Sequence, residues 1–257
     1  MLQKYVKPIS FIMILLLIGV SFSPIVSAQA NEFKQHELEY IINSSKILYE
    51  DSNEQIIVSE SLNGEIFYSF IKRDDANPNR VYFSVFSETE LLNLHNTISK
   101  KNAVSQNMKS NVLDLENVFS EEYLCSEETI NTMLSLARAS GFGTGSYAES
   151  YGNSLTGGVH IYLSPTDAPR LAAGSSALLS ALGAALVLAA AMNMGISAVP
   201  GALLTLLGNL ITIYYLMAKN NDGSLNIKVP YITLAFFCFG VPGGSLFISI
   251  GSIKYYI

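Results

Sequence analysis

Several groups of residues in the 257-residue chain have types that do chemistry, and each lacks a required member. Asp74 and Asp75 are adjacent carboxylates, the pairing used in general acid–base work. They sit beside Lys72 and Arg73 in a run through Asn77-Pro78-Asn79 that reads as a solvated turn. Asp51, Asn53 and Gln55 have the alternate spacing of a calcium loop, without its glycine at the sixth position or its acid at the twelfth. Gly152-Asn-Ser154-Leu-Thr-Gly157 misses the nucleophile elbow G-x-S-x-G by one position. Gly141-x-Gly143-x-Gly145 follows a helical pattern, where a dinucleotide loop follows a strand. Cys125 and His160 make a thiol–imidazole pair only if the fold unites them. His36, His95 and His160 are scattered, and no C-x-x-C or H-x-x-x-H spacing is present. No catalytic residue, cofactor or metal is expected.

The elements that would position any site divide by charge. The chain is 49% hydrophobic and 14% charged, against about 25% charged in an average globular protein. Residues 31–130 hold 8 basic and 18 acidic residues, while 131–257 hold 5 and 3. The formal charge of −6 excludes a nucleic-acid binder that relies on net positive charge. Of 18 glycines, 16 lie at or beyond Gly141, and 141–158 reads as a Gly/Ser-rich linker.

Residues 1–30 have the layout of a secretory signal peptide. Lys4 and Lys7 precede a twelve-residue apolar run, Ile9–Val20, closed by Pro24 and followed by small residues at Val26-Ser27-Ala28-Gln29-Ala30. Cleavage is expected after Ala28 or Ala30, giving an exported protein of the envelope or medium. An oxidising compartment permits a Cys125–Cys238 bond, while their unlike neighbourhoods favour two free thiols.

The acidic segment, 31–140, reads as a small α+β domain. Apolar spacing predicts a helix over Asn31–Tyr49. Gln55–Ser59, Glu65–Lys72 and Arg80–Phe86 read as an antiparallel meander. Ser87-Glu88-Thr89-Glu90 caps a helix through Ile98, and another runs from about Glu127 to Ala139.

The segment 159–257 is built differently. Between Arg170 and Lys219 lie 48 residues without a charge. At ~1.5 Å per residue, Leu171–Asn193 spans about 35 Å and Pro200–Ala218 about 28 Å. Either matches a hydrocarbon core of about 30 Å. Gly195, Pro200 and Gly201 break the run into a helical hairpin. Ala173, Ala177, Ala181, Ala185 and Ala189 form a ridge without bulk on the first helix, with Leu178, Leu182 and Leu186 beside it as a lipid-facing candidate, the alternative being that the helix pair is the buried centre of a soluble protein. Gly201, Thr205, Gly208 and Thr212 give the second helix a similar small face, the means by which helices associate in lipid. Val159–Leu163 and Leu225–Val229 flank the hairpin as strands able to pair, a β-α-α-β unit. Tyr231–Phe239 and Leu246–Ile253 read as extended, with one uncharged helix through Val229–Ile250 as the alternative, and Lys254-Tyr255-Tyr256 as an interfacial anchor.

A signal peptide, a charged leader domain and an uncharged Gly/Ala-rich hairpin together resemble secreted bacteriocin-like membrane-active proteins. The hairpin is similar to that of pore-forming colicins, although those lack a cleaved signal and surround their hairpin with amphipathic helices. Tyr151-Gly152-Asn153 matches the first three residues of the pediocin-like Tyr-Gly-Asn-Gly-Val box, with Ser154 and Leu155 in place of the last two. The resemblance implies a hairpin buried in solution and inserted into a target bilayer, with self-association to a pore. The expected function is therefore an exported, non-enzymatic protein whose C-terminal hairpin binds or inserts into membranes. The alternative is a resident anchored protein displaying 31–140 as an extracellular binding module.

Overall fold

The computed structural model describes residues 28–103, 125–154, 156–241 and 244–257. Residues 1–27 of the expected signal peptide lie outside them, and Ala28–Ala30 form the first turn of helix α1. The architecture of the described residues is α+β: nine antiparallel strands in sequence order, β1-β2-β3-β4-β5-β6-β7-β8-β9, with seven helices.

Chain order explains this sheet, because each strand pairs with its predecessor directly or across helices. Helix α1 (Ala28–Ser44) leads into β1 (Lys46–Glu50), β2 (Glu54–Glu60), β3 (Ile66–Arg73) and β4 (Arg80–Ser87). The helix expected through Tyr49 stops at Ser44. The Ser44 and Ser45 hydroxyls donate to Ile41 O, and Ile47 and Tyr49 pair with β2 instead. Helix α2 (Glu88–Ala103) opens on a reciprocal cap, with Glu90 N–H donating to Ser87 Oγ and Ser87 N–H to the Glu90 carboxylate. Helix α3 (Glu127–Ala139) is capped by Ser126, and its Arg138 reaches both carboxylate oxygens of Glu54 at 2.6 Å.

The stretch expected as linker carries β5 (Tyr147–Tyr151), paired with β4 on one side and β6 (Gly158–Leu163) on the other. After the short helix α4 (Asp167–Ala172) come α5 (Ser176–Met194), α6 (Gly201–Ala218) and β7 (Leu225–Pro230). β7 pairs with β6 from Gly158↔Pro230 to Leu163↔Leu225, and three helices, α4, α5 and α6, lie between the two strands where the sequence reading expects two. Tyr231–Phe239 forms helix α7 rather than a strand. Pro230 is its N-cap and cannot donate to the next ladder position, and Gly240 ends it at φ 64°. β8 (Phe247–Ile250) and β9 (Ile253–Tyr256) complete the sheet around Gly251.

Alternation splits the sheet into two faces. One buries Ile57, Ile71, Val81, Phe83, Val85, Ile161, Leu163, Ile227 and Ile248 beneath α1, α4, α5 and α6. Leu38 and Ile42 of the acidic segment belong to this core, so the segments that composition separates share one interior. The other face buries Ile56, Val58, Tyr68 and Phe70 beneath α2 and α3. Over β5–β9 that second face is polar and aromatic.

Candidate functional site

The hairpin of α5 and α6 forms, with shorter arms than expected. Gly174, at φ 93°, separates α4 from α5, and Ser175 caps the new helix at Leu178 N–H. Ala173 therefore ends α4 and lies off the ridge. Gly195, at φ 61°, ends α5, and Pro200 caps α6 ahead of Gly201.

Ala177, Ala181, Ala185 and Ala189 are buried, and so are Leu178, Leu182 and Leu186. α5 packs across β3 to β6 and against α1, so its leucines face protein rather than a lipid-ready surface. The helices meet elsewhere. A Cβ on Gly183 would lie 2.8 Å from Leu204 Cδ1, and one on Gly208 would lie 3.0 Å from Leu179 Cδ2. Leu179 and Gly183 lie about 160° round α5 from Ala177 and Ala181. On α6 the expected small face does turn inward at Gly208. Thr205 and Gly208 line a crevice with Leu179 and Ser176, whereas Thr212 is exposed and its hydroxyl donates to Gly208 O.

The outward side of α6 is the apolar surface that remains. The helix has no charge over 18 residues, is long and apolar enough to cross a membrane, and is one-third buried. Ile213, Leu216 and Met217 are 61%, 78% and 66% exposed. Spacings of three and four put them on one stripe. At the other end of the hairpin α7 exposes Ile232, Phe236 and Phe239. It is held there by the Asn193 amide donating to Tyr231 Oη (2.9 Å) and by Cys238 Sγ against Ala198 O (3.6 Å).

Beside the stripe lies a depression of about 820 Å³, lined by Met217, Lys219, His160, Asn226, Lys228 and Gly251 among others. Gly251 (φ 56°) admits no side chain, because a Cβ would meet Ala218 O at 2.6 Å. This close approach docks the β8–β9 turn on the end of α6. Each lysine of the region lies over a ring: Lys219 over Tyr215 (5.5 Å), Lys228 over Tyr151 (6.0 Å) and Lys254 over Phe247 (5.0 Å).

The polar sheet face continues from there. Tyr82, Tyr147 and Tyr162 stand on neighbouring strands, with ring centroids 5.9 and 5.3 Å apart. Arg80 lies 4.6 Å over Tyr147 and pairs with Glu149 at 3.0 Å. Hydrogen bonding to Tyr82 and the pairing with Glu149 hold its guanidinium charged, against the opposing effect of burial. Burial pushes the Tyr147 and Tyr151 hydroxyls up, so both stay protonated. His160 Nε2 sits 2.9 Å from Asn226 Oδ1, which gives its ring a partner other than the Cys125 thiol. Cys125 and Cys238 are thiols rather than a disulfide. The signal for this face was the alternation Tyr147-x-Glu149-x-Tyr151 and His160-x-Tyr162, hidden by glycines on both sides.

Among the described residues, no three His, Cys, Asp or Glu side chains gather as a metal site. No protein-family model, curated protein or solved structure matches the chain.

Proposed function

We propose that the chain is an exported, non-enzymatic protein that attaches to lipid bilayers through the outward stripe of α6, with the hairpin kept folded on the sheet. The observation that carries this reading is the exposure of Ile213, Leu216 and Met217 on a helix with no charge along its length. Singly exposed apolar residues are ordinary, but a stripe of large ones bordered by lysine and tyrosine has the composition of an interfacial contact. Burying apolar area in the acyl boundary gains about 25 cal/mol per Å².

Insertion of the whole hairpin, as the colicin resemblance implies, asks more. Leu178, Leu182 and Leu186 would have to leave the sheet and expose its apolar face. Peripheral attachment leaves the core intact and is the favoured reading.

Flotation of the full chain with neutral phosphatidylcholine vesicles tests it, with dye-loaded vesicles alongside. Wild type is expected to float and Leu216→Asp to stay in the load, without dye release by either. Equal flotation of the two chains, or no flotation of wild type, overturns the reading. Dye release by wild type alone replaces attachment with insertion.

A further inference from the structure

We infer that the depression between α6 and the sheet is a recognition site for the anionic headgroups of a bilayer, with Lys219 and Lys228, which line it, and Lys254, on the same sheet face beside it, as the residues that select them. The inference rests on the proposed attachment through α6 and adds which lipids that surface takes.

Charge distribution supplies the first argument. From Lys219 to the C-terminus the chain has three lysines and one acid, Asp222, whereas the whole protein carries −6. An acidic molecule thus holds a cationic end, and that end adjoins the apolar stripe, because Met217 lines the depression together with Lys219 and Lys228. A cationic end lowers the repulsion that a net-negative molecule meets at an anionic membrane.

The partners of these lysines supply the second. Among the described residues, none of the three has a carboxylate within salt-bridge distance; each ammonium lies over an aromatic ring instead. Other basic side chains are paired with carboxylates, Arg80 with Glu149 at the edge of the depression and Arg138 with Glu54 away from it. Glu149, which also lines the depression, is already paired with Arg80 and accepts a hydrogen bond from the Asn77 amide. A lysine over a ring keeps its charge and its hydrogen-bond donors, while its stem covers apolar surface. Asp222 is turned to its own loop, accepting from Ser224 N–H and Oγ.

Geometry supplies the third. Lys228 stands opposite Ser249, and Ser249 opposite Lys254, so the two lysines point from one sheet face about 10 Å apart. His160, Asn226 and Ser252 add further hydrogen-bonding groups in the same depression. An apolar stripe beside a ring-backed cluster of ammonium groups combines the two signals that stable membrane attachment needs.

The test is flotation of the full chain with phosphatidylcholine vesicles, with and without phosphatidylglycerol. Each lysine near an anionic surface contributes about five-fold in affinity. Wild type is expected to bind the mixed vesicles about 100-fold more tightly than the triple variant Lys219→Gln, Lys228→Gln, Lys254→Gln. The two chains are expected to bind neutral vesicles alike, and added salt is expected to erase the difference. Equal affinity of wild type for neutral and mixed vesicles overturns the inference and leaves attachment standing. Absence of binding to neutral vesicles overturns attachment through the stripe itself, whatever the mixed vesicles show. Binding of soluble polyphosphate as tight as that of mixed vesicles, unaffected by Leu216→Asp, overturns the inference in favour of a free polyanion.

Discussion

Leu204 of α6 occupies the notch left by Gly183 of α5, so close that a Cβ on Gly183 would lie 2.8 Å from Leu204 Cδ1. The mirror contact, Leu179 on Gly208, fixes the antiparallel register of the hairpin from the other side. Gly183→Ala gains about 1 kcal/mol of helix propensity but overpacks a buried leucine, at about 1–3 kcal/mol. Modest net destabilisation is expected in urea denaturation. In a double-mutant cycle, Leu204→Ala should cost less in the Gly183→Ala background than in wild type, by about 1 kcal/mol. Additive costs would show that the two side chains are not in contact.

Legibility followed the range of the forces. The meander and the Ser87–Glu90 cap were readable because turn residues and capping pairs act over a few positions. The strands flanking the hairpin were readable because β-branched runs mark them. What escaped was decided at long range. Leu182 looks alike to the sequence whether it faces lipid or β-strands, since both are apolar, and only the sheet beneath α5 decides. Tyr147–Tyr151 became a strand because β4 and β6 were there to pair with it. Tyr231–Phe239 has a strand-like composition but took a helix between Pro230 and Gly240.

Asp51 closes the β1–β2 turn, accepting from Asn53 N–H (2.7 Å), Glu54 N–H (2.6 Å) and the Tyr49 hydroxyl (2.7 Å). Burial alone would raise its pKa, but those hydrogen bonds outweigh it and hold the carboxyl below its usual range. A depressed folded-state pKa gives stability that is complete above the unfolded value, about 3.9. It is lost as pH falls through the folded value. Asp51→Ala should therefore cost about 1 kcal/mol at pH 7, and the gap from wild type should close on acidification. A gap unchanged down to about pH 2 would contradict this.

Burial pushes the Cys238 thiol up to about 11. At pH 8 the thiolate is then about 0.1% of the population, against about a quarter for an ordinary thiol. In a Cys125→Ser background, where Cys238 is the one thiol left, Ellman's reagent should react about 100-fold more slowly with the folded chain than with the same chain in denaturant. Comparable rates would mean that the α7 packing against Ala198 opens readily.

Leu182 and Leu216 are both leucines on uncharged helices, and aspartate should affect them in opposite ways. Leu182 is fully buried, so Leu182→Asp loses apolar packing and buries an unpaired carboxyl, together costing about 4 kcal/mol or more. Thermal denaturation should show a large loss of stability or no folded protein. Leu216 points outward, so Leu216→Asp should change stability by less than about 0.5 kcal/mol while removing vesicle flotation. Circular dichroism melts and flotation on the same samples separate the two effects. If Leu182→Asp stays folded, α5 is not the core helix. If Leu216→Asp unfolds, the outer side of α6 is covered by protein rather than offered to lipid.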